Sequence, residues 1–119
     1  MARRALVALL LLILACHRPS TAPAPLVVGT ITSRAARLIG RDSVPQMLVQ
    51  GNPPTCDNSA YFFLSAVRRV WYASGLPADT GALAVGAQVR VWATGIVLES
   101  CPPQVGADEI QIDRAAPPG

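Results

Sequence analysis

Cys16 is the residue of this chain whose surroundings most clearly indicate a chemical modification. It follows Ile13, Leu14 and Ala15, a branched apolar residue, a second apolar residue and a small one. A small residue before the scissile bond suits a signal peptidase, and the Cys16 thiol can accept a diacylglycerol group. Cleavage before Cys16 would then free an amino group for a third acyl chain. These residue types in this order predict lipid attachment at Cys16.

The stretch before Cys16 has the composition of an export signal. Arg3 and Arg4 are followed by an unbroken apolar run over residues 5–15. A membrane span needs about 20 apolar residues, whereas a run of this length suits the core of a signal peptide. Residues 13–16 resemble the lipobox of bacterial lipoproteins, which implies a signal peptide over residues 1–15. Plain secretion and an uncleaved anchor are the alternatives.

The location follows from the same residues. A lipid-anchored exported protein belongs to the bacterial cell envelope, with the membrane as its first partner. His17 stands where an aspartate would direct retention in the inner membrane, so the resemblance implies the outer membrane in a cell with two membranes. Residues 17–25, HRPSTAPAP, are rich in proline and small residues. We therefore interpret residues 16–25 as a lipid-anchored disordered tether.

The rest of the chain is long enough for one domain. Removal of 15 residues leaves 104 of the 119, a usual size for a single domain. The domain is predicted over residues 26–113, followed by a disordered tail over residues 114–119. Without Arg3 and Arg4, eight basic residues face seven acidic ones, a formal charge of +1. A nucleic-acid-binding domain would be expected to keep a basic surplus, so we expect no nucleic acid partner.

The residues that catalysis requires are not grouped in the sequence. His17 is the only histidine and belongs to the tether, where the fold cannot position it as a base. Asp108 and Glu109 are adjacent in a predicted strand and are expected to face opposite sides of it. A zinc site would need more nitrogen or sulfur ligands than the domain supplies. We therefore expect no enzyme, no cofactor and no metal.

Two cysteines remain inside the predicted domain. Cys56 and Cys101 would lie in an oxidising compartment if the chain is exported, and there a pair of cysteines most simply forms a disulfide. Free thiols and a metal site are the alternatives. The predicted bridge joins the loop after the second strand to the turn before the last one.

Short strands separated by glycine and proline predict an all-β fold. The clearest alternation runs over residues 88–94, where Val89, Val91 and Ala93 point one way. Gly29 is expected to mark a bend or bulge in the first strand. The strands are predicted at residues 26–32, 45–50, 61–66, 70–72, 88–94, 96–98 and around 110–112, with a turn over residues 39–43. Their number and spacing favour a small five-stranded OB-type barrel, with a small β-sandwich as the alternative.

The C-terminal half resembles the YobA-like family of small exported bacterial domains. The likeness rests on the strand at residues 82–92 (ALAVGAQVRVW), on Gly95, and on Glu99, Ser100 and Pro102 with Gln104. The family implies an OB-type barrel and a lipoprotein signal, but no established activity. Cys101 stands where the family pattern has a tyrosine, which implies that a crosslink to Cys56 replaces an aromatic contact.

Aromatic and basic residues provide the candidate binding surface. Phe62, Phe63 and one tryptophan are expected to fill the barrel. The surface itself is predicted from Arg68, Arg69, Trp71, Tyr72, Arg90 and Trp92. A lipid-anchored accessory or binding module that recruits a partner protein or another envelope component is the favoured function. A domain that binds a glycan or small ligand is the alternative, and the oligomeric state stays open.

Overall fold

The regular secondary structure of the described part of the chain consists of β-strands and one 3₁₀ turn. The computed structural model describes residues 23–118, so Cys16, the predicted signal and most of the predicted tether lie outside it. Its elements are β1 (Val27–Ile39), β2 (Asp42–Gln50), β3 (Ser59–Phe63), β4 (Arg69–Tyr72), β5 (Pro77–Ala78), a 3₁₀ turn (Thr80–Ala82), β6 (Gln88–Leu98) and β7 (Gln104–Arg114). The all-β prediction is confirmed.

Five of the strands pair in a closed ring. β1 pairs with β2, β2 with β3, β3 with β7, β7 with β6, and β6 with β1. Every pair in the ring is antiparallel except β3 with β7. The ring fits the five-stranded OB-type barrel expected from the sequence, and its outline is consistent with either a barrel or a small sandwich. Because every strand in it has two neighbours, the ring leaves few open edges.

β4 lies outside the ring as a separate short strand. It pairs in parallel with the second half of β7, whereas β3 pairs with the first half, and β5 adds to the outer edge of β4. The sheet therefore presents three adjacent strands, β6, β7 and β4, at one side of the molecule.

Alternate residues of the strands form the core. Phe62, Val89, Val91 and Ile110 are fully buried, and the alternation predicted for residues 88–94 is confirmed by exposed Gln88 and Arg90. The expectation that one tryptophan fills the barrel is wrong. Both tryptophans are only partly buried, because they occupy the outward positions of their strands.

β1 is longer than its sequence pattern indicated. It pairs with β6 over Val27–Thr30 and then with β2 as far as Ile39. The register irregularity in its pairing with β2 lies between Ile31 and Ser33, whereas the sequence predicted a bend or bulge at Gly29. The turn predicted over residues 39–43 contracts to Gly40 and Arg41. Gly40 has a φ of +63°, which a two-residue type II′ hairpin requires at its first turn position.

The last two strands also extend beyond their predicted limits. β6 continues through Gly95 to Leu98, and β7 starts at Gln104 and ends at Arg114. Ala116 packs against the hydrophobic core. The chain just after β7, placed in the tail by its composition, therefore contacts the domain.

The predicted Cys56–Cys101 pair is confirmed. Cys56 lies in the loop between β2 and β3, and Cys101 lies in the turn between β6 and β7. Their Cα atoms are 5.1 Å apart, inside the range that a disulfide requires. The bridge joins two loops of the ring that are 45 residues apart in sequence.

Candidate binding site

The outward surface of β6, β7 and β4 carries the two tryptophans. Trp92 on β6 lies opposite Glu109 on β7, which in turn lies opposite Arg69 on β4. Two residues away on each strand, Arg90 on β6 lies opposite Gln111 on β7, and Gln111 lies opposite Trp71 on β4. We call this surface the tryptophan face; it consists of Arg69, Trp71, Arg90, Trp92, Glu109 and Gln111.

The two indole rings stack on one another across β7. Their centroids are 5.5 Å apart and their planes are inclined by 24°, an offset arrangement that aromatic pairs prefer. The Arg69 guanidinium lies 4.3 Å from the centre of the Trp71 ring, within cation–π range. Trp71 thus contacts both Trp92 and Arg69 and lies at the centre of the face.

Charged groups on β6 and β7 continue the face. The Arg90 Nε donates a hydrogen bond to Asp113 over 2.8 Å, and the Gln111 side chain donates to the other oxygen of the same carboxylate over 2.8 Å. Tyr72, which the sequence placed with these residues, packs against the hydrophobic core. It follows Trp71 directly, so the alternation of the strand turns its side chain the other way.

A cleft lies beside the tryptophan face. It has a volume of about 610 Å³. Its walls come from the ring, from the segment before β4 and from the chain that precedes β1: Pro23, Ala24, Pro25, Leu26, Arg68, Trp92, Ala93, Asp108 and Glu109. Of the predicted surface residues, Arg68 and Trp92 therefore meet at this cleft.

The expectation that Asp108 and Glu109 face opposite sides is wrong. Both line the cleft. Trp92 is paired with Glu109 but Ala93 with Ala107, so Asp108 is an extra residue on β7. Such a β-bulge re-aims a side chain and breaks the alternation on which the expectation rested.

Arg68 and Asp108 form a bidentate ion pair in the wall of the cleft. The Arg68 Nε and Nη2 atoms donate to the two Asp108 oxygens at 2.5 and 2.7 Å. The hydrogen bond from Arg68 is the main cause that holds the pKa of Asp108 below its ordinary value. The same hydrogen bond, together with the negative charge of Asp108, raises the pKa of Arg68. Both groups are therefore charged at neutral pH.

Residues 23–25, which we call the strap, lie along the cleft. The Trp92 indole Nε1 donates a hydrogen bond to the Pro23 carbonyl oxygen over 2.7 Å. The next contact along the chain is the Leu26 amide, which donates to the Val91 carbonyl oxygen over 2.8 Å. The composition of residues 23–25 predicted part of a disordered tether and not a segment that contacts the domain. The only available signal was the indole N–H of Trp92, a donor that needs an acceptor on any surface where it is half buried.

The side chains at this site provide groups for non-covalent contacts. Stacked rings, fixed guanidinium groups and two carboxylates offer contact area and hydrogen bonds to a ligand. Within residues 23–118 no group of three or more His, Cys, Asp or Glu side chains is arranged to hold a metal ion. Nor does that part of the chain contain a helix long and apolar enough to cross a membrane.

Comparisons with models of protein families, with curated proteins and with solved structures give no match for this chain.

Proposed function

We propose that this protein is a lipid-anchored accessory module of the bacterial cell envelope that binds a partner protein through its tryptophan face. The observation that carries the proposal is the stack of Trp71 on Trp92 with Arg69 beside it. Tryptophan and arginine are the residue types that contribute most binding energy in protein interfaces. Here they lie together on one outward surface of a rigid sheet.

The anchor belongs to the same proposal. With the strap on the domain, lipid on Cys16 would leave the seven residues 16–22 between the membrane and the strap. A chain of that length spans at most about 25 Å, which confines the domain to the vicinity of the membrane surface. We further propose the outer membrane as the location, because His17 and not an aspartate follows Cys16. We also propose that the domain is related to the YobA-like family, whose pattern the C-terminal half resembles.

Replacement of the anchoring cysteine tests the first half of the proposal. In cells fed a labelled fatty acid, the wild-type protein is expected to take up label and to stay with the membrane after a salt wash, because two or three acyl chains hold firmly. Cys16→Ser should abolish both. The matched control is the double variant Cys56→Ala/Cys101→Ala, which keeps Cys16 and should be labelled normally. An unlabelled wild-type protein would contradict the anchor.

A photocrosslinking amino acid tests the second half. Placed at Gln111, in the middle of the tryptophan face, it is expected to form a discrete adduct in intact cells. The adduct should disappear when Trp71 is also changed to Ala. The control position is Arg41, exposed in the hairpin turn between β1 and β2. Equal adducts at Gln111 and Arg41, or an adduct that survives the loss of Trp71, would count against this face.

The cleft supports a second candidate function, the binding of a glycan or small ligand. Asp108, Glu109 and the Trp92 ring converge on one concave space, and a few converging polar groups beside an aromatic ring characterise small-ligand sites. Envelope oligosaccharides that bind in a Trp92-dependent manner, with no crosslinked partner, would favour this function over the first.

A further inference from the structure

A short proline-containing segment lines the cleft and is bonded to Trp92. The strap, Pro-Ala-Pro, forms one wall, and its first carbonyl accepts the indole hydrogen bond of Trp92. Pro25 is half buried there, and Leu26 then enters the edge of the ring through the Val91 carbonyl. The indole N–H, the only polar group of the Trp92 side chain, therefore donates its hydrogen bond to the backbone of a proline-rich segment.

This contact has the chemistry of polyproline recognition. Proline-rich segments favour an extended helix with solvated carbonyls and no internal hydrogen bonds. Aromatic grooves bind such segments because little conformational entropy is lost, and donors in the groove take up the carbonyls. An indole N–H is a donor only, so the Trp92 side chain suits a carbonyl acceptor.

We propose that the cleft between the tryptophan face and the Arg68–Asp108 pair is a binding site for an extended, proline-rich peptide segment of an envelope partner. The strap occupies the Trp92 hydrogen-bond donor of that site and competes with the partner for it. This inference rests on the proposed function and names the chemical class of its partner. It takes the strap as the guide to the ligand, since the strap places the Pro23 carbonyl on the Trp92 indole and lines the cleft with Pro23 and Pro25.

The strap sets the affinity for a partner. A segment joined to the domain by a short chain has an effective concentration in the millimolar range. A free peptide must displace it from the Trp92 indole, and its apparent affinity is the intrinsic affinity multiplied by the fraction of molecules in which that indole is free. If the strap is bonded to Trp92 in nine-tenths of the molecules, its release would tighten partner binding about tenfold.

The experiment uses full-length protein in detergent micelles and a fluorescently labelled peptide with the sequence of residues 17–25, HRPSTAPAP. Binding is followed by the fluorescence anisotropy of the peptide. The control peptide carries glycine in place of its three prolines. The protein variants are Pro23→Gly/Pro25→Gly, which loosens the strap, and Trp92→Phe, which keeps a ring and removes the donor. Tyr72→Phe is the matched control, because it removes a polar atom from an aromatic residue that packs on the core.

Weak binding to the wild-type protein and about tenfold tighter binding to the strap variant are expected, both dependent on proline in the peptide. Trp92→Phe, introduced into the strap variant, should weaken binding at least tenfold, whereas Tyr72→Phe should leave it unchanged. The proposal is overturned if the strap variant binds neither peptide at millimolar concentration, or binds both equally. Should the peptide fail while the Gln111 crosslink still depends on Trp71, the partner-binding function stands and only its proline-rich ligand is lost.

Discussion

Loss of the Cys56–Cys101 disulfide is expected to lower the free energy of unfolding by about 2–4 kcal/mol. The bridge closes a loop of 45 residues, and on the chain-entropy model a loop of that length stabilises the folded state by about 4 kcal/mol. Domains of this size are stable by only about 5–15 kcal/mol in total. The reduced protein should keep its β-sheet spectrum at 25 °C and unfold at a markedly lower denaturant concentration.

Equilibrium denaturation with and without reductant measures this effect. The double variant Cys56→Ala/Cys101→Ala is the control, because it should match the reduced wild type and show no response to the reductant. Identical denaturation midpoints for the oxidised and reduced wild type would mean that the bridge contributes nothing to stability. The two loops would then be held together by the rest of the ring alone.

Gly29→Ala is expected to destabilise the protein by about 3 kcal/mol or more. A Cβ at this position would overlap the Gln50 carbonyl oxygen, lie 2.6 Å from the carbonyl carbon of Gln50 and lie 3.0 Å from the Gly51 nitrogen. All three atoms are backbone and cannot move aside as a side chain would. Overpacking in a filled site usually costs about 1–3 kcal/mol, and here the strand pairing of β1 with β2 would also have to shift.

Gly106→Ala is the matched control for this substitution. Its added Cβ would lie 3.5 Å from the Thr94 carbonyl oxygen and 3.7 Å from the Thr94 methyl carbon, which are ordinary van der Waals distances. Thermal and chemical denaturation of the two variants should therefore differ strongly, with Gly106→Ala close to the wild type. Equal stabilities would show that β1 does not pass as close to β2 as the structure has it.

The centres of the strands and the cysteine pair could be predicted from the sequence. The alternation around Val89 and Val91 depends on the two-residue period of a strand, which is a local property. The disulfide follows from the count of cysteines once one of them is assigned to lipid. A glycine inside a strand marks a bend, a bulge or a close backbone approach; the sequence predicted a bend or bulge at Gly29, and the structure shows the close approach of the Gln50 backbone.

The ends of the strands and the composition of the site could not be predicted in this way. β1 continues to Ile39 because β2 pairs with it over that length. The residues of β1 themselves do not indicate this pairing. The bulge at Asp108 is visible only in the pairing with β6. Without it, Asp108 and Glu109 would not share a cleft wall with Trp92.

Local patterns of residue type therefore determined the all-β class, the strand centres and the chemistry expected at the cysteines, because each depends on neighbours within a few positions. The tertiary structure decided which side chains meet. Trp71 and Trp92 stack because β7 brings β4 and β6 to its two edges in one register. Pro23 reaches Trp92 across 69 positions because β1 starts beside β6. Such contacts depend on strand pairing between segments that are distant in sequence. Residue type and local spacing do not determine which distant strands pair.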